Sequence, residues 1–131
     1  MASSSASGSS SQECKVGNER FCKNLNWRYK EECGKDQFSA LSCKSLKTCE
    51  DLWEMAERAA RCERGRELMR TKCIDKKWHD SGHQKAIDHA GDVWNDCLDL
   101  YEVAWRGCGK APDDFFEKAT KDFVKNVYTC Q

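Results

Sequence analysis

Apolar positions recur at helical intervals through residues 48–108, on both sides of a short polar break. The pattern predicts two long helices joined by a connection at residues 74–80. The first opens at Thr48, whose hydroxyl suits a helix cap, with Glu50 and Asp51 in the first turn to oppose the helix dipole. It sets Leu52, Met55, Ala59, Cys62, Arg66, Met69 and Cys73 on one stripe. Arg66, the polar member, is read as snorkelling along its stem, with a guanidinium held at a site as the alternative. The second helix starts after the capping sequence Asp80-Ser81-Gly82. It aligns His83, Ala86, Ala90, Val93, Cys97, Leu100 or Tyr101, Ala104 and Cys108. Upstream, Cys22, Leu25, Tyr29 and Cys33 follow a helical rhythm that Gly34 ends, and residues 34–47 read as a loop from which Phe38 and Leu41 pack down. Downstream, Pro112 at a first helical position, followed by Asp113 and Asp114, opens a last helix with the stripe Phe116, Ala119, Phe123, Val127 and Cys130. The fold class is all-α: a disulfide-stapled helical hairpin with additional N- and C-terminal helices packed on it.

The cysteines sharpen that picture. Cys62 and Cys73, then Cys97 and Cys108, are each spaced by eleven positions, close to three helical turns, so each pair shares a face. Facing residues of antiparallel helices have position numbers with a constant total, and Cys62 with Cys108 and Cys73 with Cys97 satisfy this rule. Axes about 8 to 10 Å apart leave such Cα atoms within disulfide reach. Two bridges, Cys62–Cys108 and Cys73–Cys97, are therefore expected. Cys22 and Cys33 repeat the same spacing, and pairing among Cys14, Cys22, Cys33, Cys43, Cys49 and Cys130 stays open.

Ten cysteines, an even number, point to an oxidised protein working outside a reducing cytosol. Zinc is the competing use, but there is no C-x-x-C and the closest pair is Cys43 and Cys49. Lys plus Arg and Asp plus Glu both number 22, so no overall field steers the chain toward nucleic acid or an anionic membrane. No apolar run suits a membrane span or a signal-peptide core. Residues 1–13 read as a flexible Ser-rich linker or tag, and residues 14–131 as a single disulfide-rich helical domain. An oxidised domain behind such a linker is expected to be a piece of a larger, delivered protein.

All three histidines, His79, His83 and His89, fall at the bend of the hairpin or just after it. His79-Asp80-Ser81-Gly82-His83 is the densest polar cluster. As an acid/base site, His83 near a helix N-terminus stays neutral and available as a base, with Asp80 or Asp88 orienting a ring. As a metal site, the two histidines would need a continuous helix, which Gly82 interrupts. As plain structure, Asp80 is a cap and His83 a hydrogen-bonded core residue. The catalytic candidates are His79, Asp80 and His83. No cofactor is expected, with calcium or zinc as the alternative. There is no nucleophile elbow or phosphate-binding Gly loop.

Three resemblances bear on function. The segment Cys43-Lys-Ser-Leu-Lys-Thr-Cys49, followed by Asp51-Leu-Trp53, Cys62, Cys73, Gly82-His83-Gln-Lys-Ala86 and Cys97, resembles the cysteine-rich helical "novel toxin" domains at the C-termini of bacterial polymorphic toxins, such as those behind PAAR-like or Rhs modules of type VI effectors. That resemblance implies delivery by another module and a cognate immunity protein. His79-Asp80-x-Gly82 with Ile87-Asp88 is similar to the bacterial phospholipase A2 pattern, without its Gly-rich calcium loop. The paired cysteines are similar to those of mitochondrial twin-cysteine proteins, with ten intervening residues here in place of nine. The expected function is the toxin domain of an interbacterial effector, a hydrolase acting on phospholipid or peptidoglycan in the periplasm or another oxidising compartment of the target cell. A nuclease toxin acting in the target cytoplasm is the first alternative. A non-enzymatic binding or membrane-disrupting domain using Trp27, Trp78 or Trp105 is the second.

Overall fold

The computed structural model describes residues 14–34, 41–73, 83–104 and 107–131, with His83 and Ala104 described for their backbone only. Four helices account for most of these residues: α1 (Glu19–Cys33), α2 (Cys49–Lys72), α3 (His83–Asp99) and α4 (Phe115–Tyr128). The fold is all-α and disulfide-stapled, and among the described residues there is no strand.

Local chemistry sets the ends. The Asn18 side chain accepts from the Phe21 N–H at 2.9 Å and starts α1. Gly34, at φ 88°, ends it, donating its N–H to the Lys30 carbonyl. Thr48 Oγ1 accepts from the Asp51 N–H at 3.0 Å and starts α2 as expected. Pro112, expected at the first helical position of the last helix, stands before it. Its carbonyl accepts from the Phe115 N–H, forming the turn that launches α4.

Helix α2 is the axle of the assembly, touching α1, α3 and α4. Besides the expected Leu52, Ala59, Cys62 and Met69 it buries Ala56, Ala60, Gly65 and Leu68. Small residues on this second face let neighbouring helices approach closely. A Cβ added at Gly65 would stand 2.3 Å from the Tyr29 Cβ and 3.0 Å from the Phe123 Cζ, so α1 and α4 both close on this point. Arg66, at half burial, lays its guanidinium 4.7 Å above the Tyr29 ring beside that crossing.

The expected Cys62–Cys108 and Cys73–Cys97 bridges do not form. A doubly bridged antiparallel pair exists, but it is α1 with α2: Cys22–Cys73 and Cys33–Cys62, with Cα atoms 5.9 and 4.9 Å apart. Those two bridges also share a constant total of position numbers, so the geometric rule holds for the other pair of helices. Cys97 joins Cys43, Cys108 joins Cys49, and Cys14 joins Cys130.

Two features of the chain decide this. Cys97 and Cys108 are not members of one helical stripe. After Asp99 the helix widens into a π turn, Leu100–Ala104, which adds a residue to its repeat and shifts the phase. Beyond it the Cys108 N–H returns to the Tyr101 carbonyl at 2.7 Å. The α2/α3 register is also centred between Lys72 and His83. Glu63 meets Trp94 and Cys49 meets Cys108 at one shared total, well below the total that pairing Cys62 with Cys108 requires.

The core runs from Phe21, Leu25 and Tyr29 of α1 through α2 to Ala90, Val93 and Cys97 of α3 and Phe123 and Val127 of α4. Leu41 is buried as expected, while Phe38 lies outside the described residues. Where α2, α3 and α4 meet, Phe115 packs 5.1 Å from Trp53 and 5.5 Å from Trp94, and Trp53 packs 5.1 Å from Tyr101. Glu102 of the π turn accepts from the Ala111 N–H, tying the α3–α4 connection to this aromatic junction.

Candidate functional site

The expected catalytic group divides at the edge of what the structure describes. His79 and Asp80 lie outside the described residues, as do Trp78 and Trp105. His83 is the first residue of α3, described for its backbone only. Next to it a polar chain crosses from α2 to α3: Arg70 donates to the Gln84 side-chain carbonyl, and Gln84 Nε2 donates to Asp88 Oδ1 at 2.8 Å. Asp88, a candidate for orienting a ring, is thus engaged by Gln84. His89 is half-buried on the following turn.

Farther along the α2/α3 contact is a group that the sequence reading missed. Glu63 Oε1 accepts from the Trp94 indole N–H at 2.7 Å. Gly91 makes room for it, since a Cβ there would sit 3.2 Å from the same oxygen. Burial raises the Glu63 pKa above its ordinary value, the Trp94 hydrogen bond opposes that, and Glu67 and Asp88 add to the rise against Arg64. The carboxyl therefore gives up its proton at higher pH than an exposed glutamate does. The available signal was Gly91, a glycine inside a helix, which marks a close approach.

An open cleft of about 420 Å³ lies between the start of α2 and the π turn, lined by Cys49, Glu50, Trp53, Glu54, Glu57 and Tyr101. Cys49–Cys108 ties the segments that carry its two walls. Aromatic faces beside carboxylates suit a cationic group. A second open cleft, of about 550 Å³, is lined by Asn18, Glu19, Arg20 and Lys23 at the start of α1.

Among the described residues no group of three or more His, Cys, Asp or Glu is arranged to hold a metal ion, and no helix is long and apolar enough to cross a membrane. All ten cysteines are bridged, which fits the chain to an oxidising compartment. Comparison with protein-family models, with curated proteins and with solved structures gives no match to this chain.

Proposed function

We propose that this chain is the toxin domain of an interbacterial, type VI-like effector, carried by a separate delivery module and countered by a cognate immunity protein. It acts on a cell-envelope substrate, phospholipid or peptidoglycan, with His79, Asp80 and His83 as the acid/base centre of a hydrolase. The observation that carries this reading is the bridge network, which crosslinks α1 to α2 twice and joins the segments at 14 and 130. A fold held in this way belongs where disulfides persist, which favours an envelope target over nucleic acid in a reducing cytoplasm.

Expression in bacteria tests it, with and without an added export signal, as wild type and as His83→Ala. The expected outcome is growth arrest on export only, abolished by His83→Ala with the exported protein still folded. Arrest from the cytoplasmic form alone would favour a nuclease. Full toxicity of a folded His83→Ala protein would remove the proposed centre, and harmlessness in every form would remove the toxin reading.

A second reading, a non-enzymatic binding domain, draws on the cleft walled by Trp53 and Tyr101 and on Trp27, which is 58% exposed. In that case Trp27→Ala or Tyr101→Ala, and not His83→Ala, abolishes the effect on growth.

A further inference from the structure

The five bridges fall into two classes by exposure. Cys22–Cys73, Cys33–Cys62 and Cys43–Cys97 have both partners buried, none more than 4% exposed. Cys14–Cys130 and Cys49–Cys108 lie at the surface, with Cys49 exposed and the other three half-buried. Thiol–disulfide exchange needs a thiolate to reach a bridge sulfur, so access controls its rate.

We propose that this division makes the domain a one-way redox lock. In the reduced chain nothing covalent holds α1 on α2, and an isolated helix of 15 residues is marginal in water. Small exported domains commonly fail to fold when their bridges are missing. The chain therefore has no stable fold in a reducing cytoplasm. On reaching an oxidising compartment, each pair of thiols exchanges with a disulfide-bearing oxidant, which leaves as two thiols. Once the fold closes, the three inner bridges are out of reach of reductants unless the whole domain opens. Reduction then takes the surface bridges, each consuming one dithiol and releasing one oxidised dithiol, and leaves the core stapled.

The biological consequence rests on the toxin reading: the domain is inert where it is made and durable once it has folded. The lock itself does not depend on that reading. The oxidised domain is incubated in native buffer with millimolar dithiothreitol, and freed thiols are trapped by alkylation and located by mass spectrometry. Cys14, Cys130, Cys49 and Cys108 are expected first, with helical circular dichroism retained. The six buried cysteines follow about a hundredfold or more slowly, because they wait on global opening, and guanidinium abolishes the difference. In a parallel arm, chain reduced in denaturant and diluted into dithiothreitol stays non-helical. Alkylation of all ten at one rate in native buffer, or recovery of the helical signal by the reduced chain, overturns the lock. Neither arm reads toxicity, so failure here and failure of the toxin reading are separate results.

Discussion

Helix α2 is held on its two sides in different ways. Toward α1 the contact is covalent at both ends, through Cys22–Cys73 and Cys33–Cys62, and its middle is a close crossing at Gly65 and Tyr29. The rim is closed by Arg61 against Glu32 at 2.9 Å and by Arg58 Nε donating to the Glu32 carbonyl at 2.6 Å. Toward α3 the contact is the most extensive in the fold, yet no bridge joins the two helices themselves: Cys49 of α2 pairs with Cys108 beyond the π turn, and Cys97 of α3 with Cys43 ahead of α2. Its middle is polar, with Glu63 hydrogen-bonded to Trp94 in the notch of Gly91. One face is fixed by bonds and small residues, while the other carries the Glu63 carboxyl, whose pKa burial raises. The one described carboxyl whose pKa is clearly raised, Glu63, thus lies on the α3 side of α2.

The largest expected effect comes from breaking the covalent face. Replacing both Cys22 and Cys73 with Ala leaves Cys33–Cys62 in place and is predicted to cost about 2 to 5 kcal/mol of unfolding free energy, read by guanidinium titration. The same double replacement of Cys49 and Cys108 leaves the α1/α2 pair stapled. If both variants lost the same amount with the same loss of α1 protection in hydrogen exchange, the two faces would not differ as described.

Next comes the crossing. Gly65→Ala places a Cβ where Tyr29 and Phe123 already stand and is predicted to cost about 1 to 3 kcal/mol. Gly91→Ala is milder, because its nearest neighbour is the end of a glutamate side chain that can swing aside.

The α3 face is tested by pH. The folded-state pKa of Glu63 is raised, so in the window between its unfolded and folded values the native state binds more proton than the unfolded state. Its contribution to stability is therefore most favourable below that window and declines as pH rises through it. Glu63→Gln is predicted to gain in Tm relative to wild type on going from acid to neutral pH. Trp94→Phe removes the bond that lowers this pKa, so it is predicted to move the Glu63 titration further up, read by carboxyl NMR. A wild type and Glu63→Gln pair with parallel pH profiles would contradict this account. The smallest effect is at a helix start: Thr48→Ala removes the cap to Asp51 and is expected to cost about 1 kcal/mol.

Much of this fold was legible because local chemistry writes it plainly. Asn18 and Thr48 start helices, Gly34 ends one, and the eleven-residue spacing of Cys22 with Cys33 and Cys62 with Cys73 marks two single-faced stripes that do meet. The bridge partners were not legible because the constant-total rule finds antiparallel candidates without ranking them. Three pairs of cysteines carried the same spacing, and Ala56, Ala60, Gly65 and Leu68 gave α2 a second buried face that a single stripe conceals. The π turn at Leu100–Ala104 has no counterpart in a period-based reading, so Cys108 was placed on a helix it does not join. Glu63 stayed hidden for a different reason. Its environment is made by Trp94 and Gly91 from another helix, so nothing beside it in the chain announces it. Of the candidate residues, His79, Asp80 and His83 stand out in the sequence by their closeness along the chain, and His79 and Asp80 lie outside the described residues. The carboxyl and the aromatic cleft needed the packing of α2, α3 and the π turn.

The central feature of the fold is the covalent locking of α2 to α1. Proteolysis without reduction, followed by mass spectrometry of the linked peptides, reads this directly. The account predicts crosslinked pairs containing Cys22 with Cys73 and Cys33 with Cys62. Recovery of Cys62 with Cys108, or of Cys73 with Cys97, would contradict it.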